Sequence, residues 1–256
     1  MCSTVYDSQS GMQVQLSASR LALHELVAAA DGDDALSSAL LHAGLASVQR
    51  LAPAAALSSD AVVEVLPSAF SAGDDAVAAA SQGGATVSIS LPCDDIDRAI
   101  ELGESAAAAC IGANASCRVN LMGAFNADPY DVQHVAAKVC DAGAAEIVLV
   151  DDGEAGPLNK FDVESLIEAL IWVDVVGTPM KLRIGVRGVA GDEGVKLAEL
   201  AVLLGVTRID VCAAGNAAPK TADVIAALDA LAAEGEHDVL PHGVDAEALS
   251  AAERLL

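Results

Sequence analysis

Asp141-Ala142-Gly143-Ala144-Ala145-Glu146-Ile147-Val148-Leu149-Val150-Asp151-Asp152 is the stretch that decides the fold. It reads as the end of an Ala-rich helix, a glycine able to take left-handed backbone and so stop that helix, a short apolar strand, and acids where the strand runs out. The pattern recurs. His42-Ala43-Gly44 precedes a β-type run at 45–51, and Leu203-Leu204-Gly205 precedes another at 207–212. Working outward, β-type runs are expected at 61–66, 85–91, 117–122, 146–150 and 181–187, with a first one near 3–6, which makes eight. Helical runs are expected at 34–43, 54–59, 73–81, 96–112, 129–142, 160–173, 192–204 and 220–234. Eight strand-helix units with short connections predict an α/β fold, a parallel eight-stranded (β/α)8 TIM barrel. It is read as one domain over 1–256, with 1–236 the barrel and 237–256 a C-terminal tail. A doubly wound open sheet is the alternative, but neither GxGxxG nor GxxxxGK[ST] occurs, which argues against a nucleotide site.

Composition narrows the function. The chain has 256 residues, 37 Asp+Glu against 13 Lys+Arg and a formal charge of −24, so a phosphate-backbone binder is excluded. Mean hydropathy is +0.46, yet no run approaches the ~18 apolar residues of a spanning helix. The first base is Arg20, so the N-terminus lacks the basic pattern of a secretory signal or a transit peptide. Six scattered cysteines without a CxxC suggest reduced thiols in an intracellular compartment, cytoplasm or mitochondrial matrix. Only Arg20, Arg50 and Arg98 are basic within the first 100 residues, so the acidic excess lies largely there. Salt adaptation, solubility of an Ala-rich surface, and contact with a basic partner are the readings of that excess.

Lys181-Leu182-Arg183-Ile184-Gly185-Val186-Arg187 alternates strictly. In a barrel its apolar set faces the helices, while Arg183, Gly185 and Arg187 face the axis. Guanidiniums there need acceptors, and Asp151 or Asp210 at neighbouring strand ends could supply them.

The chain resembles 3-hydroxy-3-methylglutaryl-CoA lyase and related metal-dependent TIM-barrel lyases and aldolases. The resemblance is carried by Asp7-Ser8-Gln9-Ser10-Gly11-Met12-Gln13, which is similar to the family's Arg-Asp-Gly-x-Gln, and by His42-Ala43-Gly44-Leu45-Ala46-Ser47-Val48-Gln49. Further carriers are the 142–152 stretch, similar to Gly-x-x-x-Ile-x-Leu-x-Asp-Thr, and Gly205–Asp210 followed by Gly215-Asn216. Such enzymes hold a divalent cation with an Asp on strand one, a His-x-His pair on strand seven and an Asn after strand eight. Carried over by position, the metal Asp becomes Ser10, the adjacent catalytic Arg becomes Gln9, and the strand-two acid becomes Gln49. The His pair becomes Gly185 and Arg187, while Asp151 and Asn216 are retained and the catalytic Cys loop is missing. The resemblance therefore implies a degenerate site with no metal and no other cofactor, Arg187 taking the cation's place. A homodimer is implied because barrels of this family commonly pair.

The remaining groups are weak. His24, His42, His134, His237 and His242 form no ligand motif, and no histidine accompanies Cys212 as an activating base. Gly215-Asn216 also reads as a simple turn. Six aromatics are too few for a base-stacking platform, and most are expected in the core or between helices. The leading expectation is a catalytically degenerate barrel acting as a structural or interaction subunit, with protein partners in a larger assembly, no nucleic acid and no membrane insertion. The competing one is an active, metal-independent lyase or aldolase on an acyl-CoA or 2-oxo acid that uses Arg183 or Arg187 to hold an anion. A sensor that keeps only a binding pocket is the third.

Overall fold

In the computed structural model, eight parallel strands close on themselves and nearly all of them are buried on both faces. The described residues are 3–6, 13–16, 20–26, 34–51, 61–64, 86–175, 183–235 and 239–256. Two short strands, β1 (Ser3–Tyr6) and β2 (Gln13–Leu16), pair antiparallel outside the barrel. The barrel follows as β3 (Ala22–Glu25), β4 (Ser47–Leu51), β5 (Ala61–Glu64), β6 (Thr86–Pro92), β7 (Cys117–Met122), β8 (Glu146–Val150), β9 (Arg183–Arg187) and β10 (Arg208–Val211). Strand β10 pairs with both β9 and β3, which completes the ring.

Seven of the eight expected barrel strands are in place, and the first is corrected. The run at 3–6 is a strand, but its partner is β2, and the barrel's first strand is Ala22–Glu25. This four-residue strand hides from a polarity pattern because Leu23, His24 and Glu25 are all buried, with the polar members held by internal bonds. The expected helices at 54–59 and 73–81 lie outside the described residues, as do Lys181 and Leu182.

The described helices are α1 (Asp34–His42), α2 (Ile96–Gly112), α3 (Pro129–Asp141), α4 (Lys160–Val175), α5 (Asp192–Leu203), α6 (Thr221–Glu234) and α7 (Ala246–Glu253). Local chemistry sets their starts. Asp95 caps α2 by accepting the Arg98 N–H at 3.1 Å, and Asp128 accepts the Tyr130 N–H at 2.8 Å with Pro129 in the first turn of α3. Their stops follow the sequence reading: Gly44, Gly143 and Gly205 have φ of 105°, 112° and 89°, which a Cβ would oppose.

The stretch read as a tail contains α7, which packs Leu249 and Ala252 inward and lies against α1. Its approach is fixed at the N-terminal end of the barrel. The Leu21 N–H donates to the Pro241 carbonyl at 3.1 Å, the Asp245 N–H to the Ala43 carbonyl at 2.8 Å, and Arg20 Nε to the His242 carbonyl at 2.7 Å.

Candidate functional site

Strand alternation sends every second side chain to the barrel axis, where bulky aliphatic residues normally fill the space. Here the axis is polar. Arg118 and Asn120 on β7, Glu146 on β8, Gly185 and Arg187 on β9, Arg208 and Asp210 on β10, and His24 on β3 occupy the register that faces inward. Near the N-terminal ends of the strands, Arg208 grips Glu146 with a two-pronged contact, Nε to Oε1 at 2.8 Å and Nη1 to Oε2 at 2.9 Å. Gly185 makes room for that arginine: a Cβ there would lie 3.1 Å from Val148 Cγ2 and 3.5 Å from Arg208 Cβ.

Arg118 joins the levels. It lies 3.7 Å from Glu146, donates from Nε to Asn120 Oδ1 at 2.9 Å, and donates from Nη2 to Asp210 Oδ2. Arg187 Nε reaches the same Asp210 oxygen at 2.9 Å. Asn120 Nδ2 in turn donates to the Ser88 and Ser90 hydroxyls at 2.9 and 3.2 Å. Arg118 and Asp210 are fully buried, and 11% of the Arg187 side chain is accessible. Burial opposes ionisation of Asp210, but the guanidiniums of Arg118 and Arg187 outweigh it and hold its carboxyl well below the usual range.

His24 completes the ring of polar groups. Arg208 Nη2 donates to Ser47 Oγ at 2.8 Å, and the same hydroxyl is hydrogen-bonded to His24 Nδ1 at 2.7 Å. Burial, followed by the positive charge of Arg118, holds its pKa well below 6.5, so the imidazole is neutral. Among the described residues, His24 Nε2, Asp210 Oδ1 and Arg187 Nη2 make no hydrogen bond.

These residues do not fit a divalent cation. At the mouth the donor set amounts to one neutral imidazole and one carboxylate oxygen, beside three guanidiniums and two carboxylates that already answer each other. No group of three His, Cys, Asp or Glu that could hold a metal occurs among the described residues. A glycine and an arginine of β9 face the axis, and Arg187 gives it a fixed positive charge there. Arg187→Ala is expected to destabilise the fold by about 1–3 kcal/mol, since Asp210 would keep only Arg118. An unchanged melting temperature would refute that role.

Of the sequence-predicted site residues, Arg187 and Gly185 are at the axis, and the partner of Arg187 is Asp210 rather than Asp151. Gln49 sits on β4 opposite Val62. Gln9 and Ser10 lie outside the described residues, between β1 and β2 in sequence, and the strand-one position falls to His24. Asp151 and Asn216 serve their own loops. Asp151, buried after β8, accepts the Gly153 N–H at 2.8 Å, while exposed Asn216 accepts the Cys212 thiol at 3.2 Å. Gly215, at φ +68°, donates its N–H to the Cys212 carbonyl at 2.8 Å, so the turn runs from Cys212 to Gly215 and Asn216 follows it. The expectation of buried aromatics is corrected for the helix starts: Tyr130 is 78% and Phe161 74% exposed. Each occupies the second position of its helix, a site on the rim rather than on the inward stripe.

Sequence reasoning missed Arg118, Glu146, Arg208 and His24. Two of them were within reach, because Arg118-Val119-Asn120-Leu121 and Arg208-Ile209-Asp210-Val211 alternate as strictly as strand seven does, whereas Glu146 opens an otherwise apolar strand.

No family model matches the chain, and no curated protein matches it. Solved structures do. The N-terminal domain of an aldolase-like protein from Bacteroides vulgatus superposes with a TM-score of 0.64 at 14% identity, over 91% of this chain and 85% of that one. The carboxyl transferase domain of Rhizobium etli pyruvate carboxylase gives 0.61 at 16% identity, over 93% of this chain. This chain spans about half, 48%, of that domain's chain. Type I 3-dehydroquinate dehydratase from Clostridium difficile gives 0.57 at 10% identity, over 91% of this chain and 98% of that one. The shared property is the TIM-barrel fold.

Proposed function

We propose, from a barrel shared with aldolase and carboxyltransferase structures, that this chain is a degenerate relative of hydroxymethylglutaryl-CoA lyase that serves as an interaction subunit of a larger assembly. The observation that carries the reading is the state of Asp210. The inward carboxylate at the mouth is fully buried and both Arg118 and Arg187 bond its Oδ2, so two guanidiniums stand beside it that oppose a cation and keep it a weak base. Metal-assisted carbon–carbon cleavage needs a cation to polarise the substrate oxygens and stabilise the enolate, and the described residues include no group of three His, Cys, Asp or Glu to hold one. Buried and free cysteines at 93, 110, 117, 140 and 212 support a reducing compartment, cytoplasm or mitochondrial matrix.

One observation favours a second reading, an active metal-independent lyase or aldolase. Arg187 Nη2 is buried without a hydrogen bond, and a shift of this side chain, 11% of which is accessible, would let it hold a substrate carboxylate. Elemental analysis of the purified protein, combined with turnover of hydroxymethylglutaryl-CoA with and without Mg²⁺ or Mn²⁺, separates the two. The expected result is substoichiometric metal and no cleavage. Metal-independent cleavage would install the second reading, and one metal per chain with metal-dependent turnover would overturn both.

A further inference from the structure

A cleft of about 250 Å³ opens between the loop that follows β8 and the outer face of α5. Val189, Leu197 and Leu200 give it apolar walls, Asp151 lies at its buried end, and Glu193 and Lys196 stand where it opens. Its shape depends on a close approach: a Cβ on Gly194 would lie 1.8 Å from the Val189 carbonyl, so only glycine lets α5 start there. Apolar walls beside a buried carboxylate match a lysine side chain, with its methylene stem on the walls and its ammonium toward the carboxylate. The chain's own ammonium does not fill that role, because Lys196 Nζ is drawn to Glu193 at 2.7 Å. Burial, with the charge of Asp152 adding to it, raises the pKa of Asp151, so this carboxylate costs stability that an incoming cation would restore.

The surroundings point the same way. Phe161 and Tyr130 stand out from the first turns of the adjacent helices α4 and α3, the two most exposed large apolar side chains among the described residues. Exposed carboxylates surround them: Asp128, Asp131, Asp152, Glu154 and Asp162, against Lys160. Neither the barrel nor the helix caps require an aromatic ring at either position. A second copy of a chain carrying −24 would be repelled, and so would a nucleic acid.

We propose that this face docks a basic segment of another protein, one lysine of which enters the cleft against Asp151 while neighbouring residues cover Tyr130 and Phe161. The inference names the partner chemistry of the interaction-subunit reading and rests on it. Its test uses the full chain and a fluorescent synthetic peptide of alternating lysine and leucine, with a glutamate-leucine peptide as control, followed by anisotropy at physiological salt. The lysine peptide is expected to bind and the control not. Asp151→Asn and the pair Tyr130→Ser, Phe161→Ser should each weaken binding about tenfold or more with the melting temperature preserved. Binding unaffected by these variants would reduce the effect to diffuse attraction to an acidic surface and overturn the proposal. So would equal binding of both peptides, no binding of either, or a dimer in light scattering that Phe161→Ser dissolves. Turnover measured on the same preparation keeps the failures distinct, since lyase activity would sink the interaction-subunit reading and leave the peptide result to be judged by itself.

Discussion

Arg118→Met is expected to lower stability by on the order of 3–5 kcal/mol, the largest effect of any single substitution considered for the axis. Methionine approximates the stem of the arginine, so the loss would come chiefly from charge. Asp210 would keep Arg187 alone, Glu146 would keep Arg208, and Asn120 Oδ1 would lose its donor, all with almost no water in reach. For a chain of this size that corresponds to a drop of roughly 10 °C or more in melting temperature. The network view makes a sharper demand through the pair. Asp210→Asn removes the charge that Arg118 answers, so Arg118→Met together with Asp210→Asn should cost clearly less than the two single effects combined. Urea unfolding of the four proteins at pH 7 measures the cycle. Strict additivity would mean that the contact between Arg118 and Asp210 carries no energy.

Stability should also fall as pH rises from about 4.5 to about 7, more steeply than self-repulsion of an acidic chain alone would make it. The cause is Glu25, on the outward side of β3. Burial pushes its carboxyl up from 4.5 to about 7, with the charges of Glu253 and Asp210 adding to the shift. Hydrogen bonds from the Ala213 N–H at 2.6 Å and the Thr221 hydroxyl at 2.8 Å oppose it without prevailing. In the unfolded chain the group ionises first. Its stabilising share is therefore complete below about 4.5 and is lost as the pH passes through the folded value near 7, to the order of 3 kcal/mol. Asp210 works in reverse: its lowered pKa gives stability that is present above the ordinary carboxylate range and fades in acid. Together these two groups place the optimum in acidic solution, at about pH 4. Glutamine at position 25 mimics the protonated acid, accepting from Ala213 and donating to Thr221. Glu25→Gln should therefore flatten the decline from pH 4.5 to 7 in chemical unfolding. A wild-type profile that rises over this interval would contradict the assignment.

The closed barrel was legible because its signals are local and repeated. Glycines at 44, 143 and 205 end helices where the next strand begins, and β7, β9 and β10 alternate polar and apolar residues over strand length while β8 is a short apolar run. The first strand was not legible. Ala22–Glu25 is four residues long and buried on both faces, so no alternation of polarity marks it, whereas Ser3–Tyr6 looks the part and pairs elsewhere. The site was half legible. Strand seven disclosed that a glycine and an arginine face the axis, but the partner of that arginine depends on ring closure between β9 and β10, which no local pattern encodes. Arg118 and Asp210 meet across 92 residues of sequence, and Arg208 and Ser47 across 161. Such contacts become visible only once the barrel is closed. The outward aromatics at 130 and 161 were misread because composition favours burying a ring, while helix starts place the second residue at the rim.

Guanidiniums and carboxylates of the chain itself fill the barrel axis, where the proposed likeness to metal-dependent lyases would put a catalytic ion. Crystals soaked in millimolar Mn²⁺ and measured at the manganese absorption edge test it most directly. The account predicts no anomalous peak near Asp210 and His24, with Arg118 and Arg187 still bonded to Asp210. A strong peak within ligand distance of the Asp210 carboxylate, with the arginines displaced, would contradict it.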